Sequence, residues 1–419
     1  MDRIGEWLRR TIWNRGILLL RWLFISVTTG IGLGLVGAWF AKSIHWVTDF
    51  RKLHPQILYG LPLVGLIIVY FYHFENKEEK SSTNLVLDAI HAEKHIPFLT
   101  APLIFVSTIL THLVGGSAGR EGAALQLGGS IGETLGEAFH MDQADQRVVV
   151  MCGMSAAFAA LFGTPLAAAI FPMEVVSVGI MHYAALVPCV VAALTASAVA
   201  ASLGVMPETF FLAELPAFTT DIAIRTILLG ILCAAVSIFF CVAIHRTEHE
   251  MKHFFPNPYV RIAVAGGILL GLIGIFGTDY LGAGMDLIEG YMEGHVVVWA
   301  FILKILFTAV TLGGGFKGGE IVPTFFVGAA FGSFMGNLLQ IPHDLAAACG
   351  MAAVFCGVTN CPISSLLISL ELFGFEGAWF FLLVIAISYM QSGYYGLYHS
   401  QRIVYAKDKT KFINQNTKE

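Results

Sequence analysis

Long apolar runs without a single Asp, Glu, Lys or Arg dominate the chain. Five such runs cover residues 148–173, 175–207, 226–245, 262–278 and 377–401. Further apolar blocks lie near residues 17–41, 56–73, 98–114 and 292–312. About 20 apolar residues cross a bilayer as a helix, so the run over 175–207 exceeds one crossing. The pattern therefore predicts a polytopic membrane protein with well over ten membrane segments.

Glycine and proline interrupt several of these runs. The chain contains 44 Gly and 14 Pro, and many of them fall inside apolar blocks. Interrupted helices are tolerated at membrane depth where their unpaired backbone is buried in protein or lines a cavity. We therefore expect an all-α membrane fold with many short, tilted and broken helices.

Composition supports this class and narrows the partners. Hydrophobic residues make up 56% of the chain and charged residues 13%, whereas about 25% of an ordinary soluble domain is charged. A water-soluble globule is therefore excluded, and lipid is the expected surroundings. The net charge of −5 gives no sign of a nucleic-acid partner. The seven cysteines show no paired CxxC spacing, so neither a metal nor a cofactor is expected.

Basic residues flank the apolar part at both ends. By the positive-inside rule, this charge distribution places both termini in the cytoplasm. We predict an amphipathic segment over residues 1–16, a membrane domain over 17–400 and a cytoplasmic tail over 401–419. The polar stretches at 75–80 and 245–255 are too short to form a soluble domain. The basic residues are Arg3, Arg9, Arg10 and Arg15 before the first span and Arg402, Lys407, Lys409 and Lys411 after the last.

The chain contains an internal repeat. With a shift of 197, residues 152–174 match residues 349–371, including the Cys, Gly, Met, Phe, Pro and terminal Glu positions. This ordered series extends over some 65 residues, which indicates a duplication with halves at about 17–210 and 220–400. With a shift of 200, Thr108, Thr111, Gly115, Gly119, Gly128, Gly132 and Gly136 fall on Thr308, Thr311, Gly315, Gly319, Gly328, Gly332 and Gly336.

Each half contributes one glycine-rich loop at a corresponding place, at residues 115–129 and 313–328. In both loops an apolar stretch with helical potential follows the glycines. The start of a helix favours an anion, because its first N–H groups are unpaired and the helix dipole is positive there. Two such starts meeting near the bilayer centre predict a site for a small anion at the interface between the halves.

Charged residues on these loops suggest proton chemistry. Glu121 and Glu320 begin the predicted helices, and ionisable groups at membrane depth commonly mark ion or proton paths. A carboxylate at Glu121 would occupy the place of the anion, and a protonated one would leave it. We expect Glu320 to carry a proton in part of the cycle, and Arg120 and Lys317 to anchor the loops or lie at the surface.

The loop motifs resemble those of the CLC family of chloride channels and transporters. GREGA (119–123) resembles the family's GREGP motif, GGEIVP (318–323) aligns with GxFxP, and the C-terminal SGYYGLYHSQ (392–401) agrees. The resemblance covers the whole membrane domain and leaves out the CBS domains of many relatives. It implies a CLC-type inverted repeat and a homodimer in which each subunit has its own pore.

Site residues follow from the resemblance, position by position. It implies that Glu121 is the gating glutamate and that the backbone amides of Gly319, Glu320 and Ile321 bind the anion. It also implies a coordinating tyrosine hydroxyl at Tyr398, with Tyr394 and Tyr395 as alternatives.

Two departures from the chloride-type pattern indicate a particular branch. The family's GSGIP motif is replaced by STNLVLDAIH (82–91), so either Thr83 or Asn84 takes the place of its serine. The inner glutamate for proton transfer is also absent, since Val175 follows Glu174. These features resemble the bacterial fluoride/proton antiporter branch and predict a fluoride exporter in the cytoplasmic membrane. Val322 stands where that branch would carry a hydroxyl, which keeps a chloride/proton antiporter or a chloride channel as alternatives.

An intramembrane serine hydrolase is a candidate from another class. GGSAG (115–119) fits the GxSxG pattern, with His112 nearby. That pattern needs a strand-to-helix turn in a soluble sheet, which the apolar surroundings of Ser117 do not offer. We therefore predict a transporter rather than an enzyme.

Overall fold

Helices account for most of the chain in a computed structural model, which describes residues 2–73, 83–92, 94–213 and 215–418. The polar stretch at 75–80 and the side chains of residues 2–12, with three of the N-terminal arginines, lie outside this description. The helices are α1 (Asp2–Leu53), α2 (Leu61–His73), α3 (Thr83–Ala92), α4 (Thr100–Leu113), α5 (Glu121–Ala138), α6 (Gln143–Phe162), α7 (Pro165–Val175), α8 (Leu186–Ser202), α9 (Thr220–Phe254), α10 (Pro258–Phe276), α11 (Met285–Met292), α12 (Ala300–Gly313), α13 (Ile321–Leu339), α14 (His343–Thr359), α15 (Pro362–Phe373) and α16 (Ala378–Gln391).

Helix lengths confirm the prediction of a polytopic membrane fold. Seven of the described helical segments are long and apolar enough to cross a membrane, and six further apolar helices have only 10–17 residues. A helix of 11 residues such as α7 rises about 16 Å, roughly half of the hydrocarbon core. Large apolar side chains such as Trp39 and Ile275 are exposed on the outside, as expected next to lipid.

The predicted duplication is visible in the packing of the helices. The pairs α5 with α6 and α13 with α14 pack most closely in their respective halves. A Cβ atom on Gly153 would overlap the carbonyl oxygen of Gly128, and one on Gly350 would overlap that of Gly328. The matched glycines of the repeat are therefore required where two helices touch backbone to backbone.

Two glutamates at matching positions join the halves reciprocally. Glu174, near the end of α7, accepts hydrogen bonds from the N–H groups of Ile363 and Ser364 at 2.9 and 2.8 Å, at the start of α15. Glu371, near the end of α15, accepts from the N–H groups of Leu166 and Ala167, the second and third residues of α7, at 2.8 and 2.9 Å. Each carboxylate thus caps the helix start of the other half. This geometry explains why the repeat preserves a terminal Glu.

A small sheet adds to the predicted helical architecture. Strands β1 (Ser177–Val178), β2 (Arg402–Tyr405) and β3 (Phe412–Asn416) lie in the order β1-β2-β3, with β1 and β2 parallel and β2 and β3 antiparallel. The segment predicted as a tail therefore folds back onto the membrane domain. Gln401 fixes its start by donating from Nε2 to the carbonyl oxygens of Val175 and Thr359 at 2.9 and 2.7 Å.

Helix α1 runs from one face of the protein to the other, so contacts along it show on which face other segments lie. Arg21 pairs with Asp145 at the start of α6 at 3.1 Å, whereas Arg51 lies 30 residues further along α1, about 45 Å away. Lys94 lines a cavity together with Gln143, the first residue of α6, so this part of the chain lies on the Arg21 side. His91, three residues before Lys94, lies 2.8 Å from the carbonyl oxygen of Val176, which places the sheet on the same side. We call this side the terminal face and the Arg51 side the opposite face.

Helices α5 and α13 extend to different faces. Helix α5 ends just before Met141, which contacts Arg21 on the terminal face. Helix α13 ends at Leu339, whose carbonyl accepts from Arg225 near the start of α9. The other end of α9 reaches the C-terminal segment, where His245 lies 3.0 Å from the carbonyl of Gly396. The two helices therefore run from a common centre in opposite directions, as an inverted repeat requires.

Candidate functional site

The two glycine-rich loops meet at a single point. Gly119 donates its N–H to the carbonyl of Gly319 at 2.7 Å, and Gly319 donates to the carbonyl of Gly119 at the same distance. Helices α5 and α13 begin directly after this antiparallel bridge, at Glu121 and Ile321. The prediction that two helix starts converge between the halves is confirmed.

The bridge corrects one predicted site residue. The Gly319 amide was expected to bind the anion, but its N–H is already bonded to the other loop. Its role in the structure is to hold the two loops together. Ile321, fully buried at the first position of α13, keeps an N–H that the helix itself leaves unpaired. Of the three predicted amides, those of Glu320 and Ile321 lie at the helix start without that constraint.

Glu121 sits at the beginning of its own helix. Its residue is 1% exposed, and its Oε2 accepts a hydrogen bond from the backbone N–H of Arg120 at 2.9 Å. Its Oε1 has no hydrogen-bond partner among the described residues, although the Arg120 Nε lies 3.4 Å away. The carboxylate therefore occupies a position that an anion at this helix start would take.

Arg120 is anchored at the edge of the loop, as expected. Its guanidinium pairs with Glu208 at 3.1 Å and donates to the carbonyl of Leu161 at 3.3 Å. Arg120, Glu208 and Glu121 line a cavity of about 570 Å³ that also includes Arg51 and Val322. This cavity gives Glu121 access to the opposite face.

Glu320 faces the start of α5 from the other loop. A Cβ atom on Gly122 would lie 2.9 Å from Glu320 Oε2 and 3.6 Å from Thr83 Oγ1. The Oε2 atom is buried and has no hydrogen-bond partner among the described residues. A buried acceptor without a donor is costly, so this oxygen has the environment of a group that takes up a proton.

The structure distinguishes the two candidates for the missing serine. Thr83 is buried and directs Oγ1 toward α5, 3.5 Å from the carbonyl of Gly122. Asn84 instead accepts the N–H of Ser400 on Oδ1 at 3.1 Å. This bond fixes the orientation of the amide, so that Nδ2 is its donor group. Thr83 therefore borders the centre directly, and Asn84 links it to the C-terminal segment.

Among the three tyrosines, Tyr398 has the geometry of a site residue. It is 1% exposed, and its hydroxyl has no hydrogen-bond partner within the described part of the chain. The Tyr394 hydroxyl instead approaches Asp408 at 3.4 Å. Tyr395 is half-buried and is paired through its backbone with the last residues of the chain.

Two further features of the site were missed by sequence reasoning. Thr417 of the folded-back C-terminus donates to the carbonyl of Tyr398 at 2.7 Å and so helps to hold the tyrosine in place. Gln126, one turn into α5, is 5% exposed and donates to Thr83 Oγ1 at 3.4 Å. The sequence signal for Gln126 was its polar side chain within an otherwise apolar run, four residues after Gly122 and so on the same face of the helix.

The serine at 117 lacks the geometry of a nucleophile elbow. It follows helix α4 rather than a strand, it is fully buried, and its hydroxyl pairs with that of Thr308 at 3.1 Å. His112 is directed to the carbonyl of Gly119 at 3.5 Å. Phe316, in the loop before α13, packs on Gly65 of α2.

The sequence profile of a known family matches most of the chain. The profile described as voltage gated chloride channel covers residues 63–393. The chain belongs to the voltage-gated chloride channel (CLC) family. This family membership agrees with the helix architecture and the paired loops, and the comparisons point to a transport protein.

Individual relatives differ in how similar they are to this chain. The chain is 34% identical to a "Chloride/fluoride channel protein" of Pseudomonas syringae pv. tomato, over 93% of this chain and 88% of that protein. It is 26% identical to "Voltage-gated ClC-type chloride channel ClcB" of Escherichia coli, over 86% of each chain.

Solved structures give the same result. The crystal structure of "a CLC-type fluoride/proton antiporter" superposes with a TM-score of 0.88 and 32% identity, covering 91% of this chain and 98% of that one. The structure of "a slow cyanobacterial Cl-/H+ antiporter" gives a TM-score of 0.76 at 19% identity, covering 89% of this chain and 94% of that one, and supports the CLC fold alone.

Proposed function

We propose that this CLC protein is a fluoride/proton antiporter that exports fluoride across the cytoplasmic membrane. One observation carries the proposal: the Glu121 carboxylate lies at a helix start that also suits an anion, directly beside the junction of the two halves. Protonation would remove its charge and release it from this place. The anion and the proton would then alternate at one position, which is the minimum that exchange requires.

The donors around the junction support fluoride as the anion. Fluoride is small and strongly hydrated, so its binding requires short, strong hydrogen bonds. The amides of Glu320 and Ile321, the Tyr398 hydroxyl, and the Thr83 and Asn84 side chains would supply such donors from three different segments. Both of the relatives named above that exceed 30% identity carry fluoride in their descriptions.

Glu320 is proposed as the proton partner of Glu121. Its Oε2 lies against Gly122, the residue after Glu121, and lacks a donor there. The inner glutamate of chloride-type exchangers is replaced by Val175, and the preceding Glu174 is occupied in capping α15. A proton route in this chain would therefore use Glu320 in place of the usual inner residue.

The resemblance also supports a homodimer with both termini in the cytoplasm. The N-terminal part of α1 and the C-terminal sheet share the terminal face, where basic residues concentrate in the sequence. We therefore propose that the terminal face is cytoplasmic and that the cavity beside Glu121 is external. Cross-linking of the purified protein in lipid would yield a dimer band if the assembly is right.

The selectivity is tested by recording fluoride and chloride efflux from the same proteoliposomes with anion-selective electrodes. The proposal expects fluoride efflux to exceed chloride efflux by at least about tenfold, which corresponds to about 1.4 kcal/mol. Equal rates, or faster chloride, would instead support the chloride alternatives, which the apolar side chain of Val322 at the external cavity favours.

A further inference from the structure

A group of titratable side chains lies at the far end of α5, on the terminal face. His95 Nδ1 is 3.3 Å from Glu133 Oε1 and 3.3 Å from Glu137 Oε1. Gln146 of α6 donates to the same Glu133 oxygen at 3.1 Å. The side chain of Glu133 is 9% exposed and that of His95 is 59% exposed. The group therefore connects a buried carboxylate to the solution, beside a cavity of about 160 Å³.

This group continues a polar stripe along α5. Gln126, Ser130, Glu133 and Glu137 follow each other at intervals of four, three and four residues, so they lie on one face of the helix. Ser130 donates to the carbonyl of Pro97 at 2.8 Å, which directs this face toward the segment that carries His95. The stripe leads from the junction of the two halves to the terminal face.

The inner end of the stripe has an unsatisfied acceptor. Gln126 Oε1 is buried and has no hydrogen-bond partner among the described residues, while its Nε2 donates to Thr83 at 3.4 Å. Thr83 Oγ1 and Glu320 Oε2 both lie near the same point above Gly122. Buried acceptors of this kind are normally satisfied by water or by a protonated group.

The second half offers no equivalent stripe. Its counterparts are Phe326 for Gln126, Ser333 for Glu133 and Asn337 for Glu137. Ser333 is engaged with the carbonyl of Tyr291 at 2.7 Å. None of these counterparts is ionisable, so a stripe with ionisable side chains is confined to the helix that carries Glu121 and that ends on the terminal face.

We propose that His95, Glu133 and Glu137 form the internal proton-exchange site of this transporter and that Gln126 connects it to Glu320. This inference rests on the proposed fluoride/proton exchange. A proton that enters from the external cavity at Glu121 passes to Glu320, crosses along water ordered by Gln126, binds the Glu133 carboxylate and leaves to the solution through His95. No covalent bond other than those to the proton is made or broken.

The side chains around Glu133 determine how its carboxylate binds and releases the proton. His95 and Glu137 face it directly, Gln146 donates to it from α6, and Lys94 and Arg147 line the same cavity.

Glu133 lies seven positions after Gln126 along α5, which corresponds to a rise of about 10 Å. Val86 of α3 packs against Gly129 between them. Water must therefore pass Val86, which makes this side chain the constriction of the route.

The test is the proton-to-fluoride ratio of Glu133→Gln in proteoliposomes, from parallel fluoride-electrode and pH recordings. We expect the ratio to fall at least fivefold while fluoride efflux continues, and Glu133→Asp to restore most of the proton movement. Glu293→Gln is the matched control, since Glu293 lies 3.9 Å from His295, an exposed pair at the other end of the protein. This control should keep the wild-type ratio.

Each outcome has one meaning. An unchanged ratio in both Glu133→Gln and the Glu133→Gln, Glu137→Gln double variant would overturn the internal site while leaving exchange by the wild type intact. Wild-type protein that moves fluoride without protons would instead overturn the proposed function itself. Should Glu133→Gln fail to fold, the ratio in Gln126→Leu decides, because loss of the connecting amide must lower it as well, and a wild-type ratio there refutes the route.

Discussion

The two halves of this protein share a frame and differ in the side chains that could carry charge. Both halves use the same glycines where helices touch, and both place a carboxylate on the helix start of the other. Along α5 and α13 themselves, in contrast, ionisable side chains are found in α5 alone, and the second half contributes Glu320 just before α13. The matching positions of α13 carry Ile321 for Glu121, Phe326 for Gln126, Ser333 for Glu133 and Asn337 for Glu137.

This difference indicates what duplication fixes and what it leaves free. The frame is constrained by backbone contact, because any side chain larger than Gly would separate the helices. The positions along one face of α5 are not constrained in that way, so the first half can carry ionisable residues where the second half carries uncharged ones. Directional coupling of a proton to an anion needs such an asymmetry between the two faces of the membrane.

The largest expected effect is at the pair Glu121 and Ile321. Glu121→Gln removes the group proposed to exchange its proton and its place with the anion, so proton-coupled fluoride transport should fall about 100-fold or more. The matched change Ile321→Val keeps an apolar side chain and should change the rate less than about twofold. Both are measured by proton uptake into fluoride-loaded liposomes. Comparable losses in the two variants would contradict the assigned asymmetry.

The next effect concerns Glu320 in the second loop. Glu320→Gln keeps the backbone amide but removes the carboxylate that faces Gly122. Proton movement should decrease about tenfold, whereas fluoride binding should change little. Calorimetric titration with fluoride supplies the binding constant, and liposome recordings supply the flux. A loss of binding that equals the loss of proton movement would show that Glu320 serves the anion and not the proton.

Tyr398 gives a smaller effect on binding. Tyr398→Phe removes one hydroxyl donor to a charged ligand, a change of about 1.5–3 kcal/mol or at least about tenfold in the fluoride dissociation constant. Tyr394→Phe is the control, because that hydroxyl is directed to Asp408. Equal affinities in the two variants would remove Tyr398 from the site.

The smallest effect is on stability and concerns the two caps. Glu174→Gln weakens bonds from two N–H groups and the Ser364 hydroxyl, whereas Glu371→Gln weakens bonds from two N–H groups only. Each donor left unpaired in a buried place costs about 1–3 kcal/mol. Thermal unfolding in detergent should therefore show losses in both variants, with the larger one at Glu174. A loss in one variant alone would contradict the reciprocal capping.

Much of this organisation can be predicted from the sequence. Charge-free runs predict the membrane class, the shifted matches predict the duplication, and the two glycine loops predict the junction, whereas the inverted arrangement of the halves follows from the family resemblance. What could not be predicted depends on which side chains meet across segments. Thr83 and Asn84 are adjacent in sequence, yet only packing against α5 and Ser400 separates their roles. The Gly319 amide was misassigned because its bond to Gly119 joins residues 200 positions apart.

The C-terminal segment is the second place where sequence alone was insufficient. Its basic, polar composition predicts a tail, and its pairing with Ser177 and Val178 is a long-range contact with no periodic signal. That pairing nonetheless brings Thr417 to the backbone of Tyr398.

The central claim is that an anion and the Glu121 proton alternate at the junction of the two halves. Its most direct test records internal pH and external fluoride together while wild-type proteoliposomes release fluoride with the membrane voltage held at zero. The account predicts that protons enter in a fixed ratio to the fluoride that leaves, and that a proton gradient alone drives fluoride uphill. Fluoride release with no accompanying proton movement would contradict it.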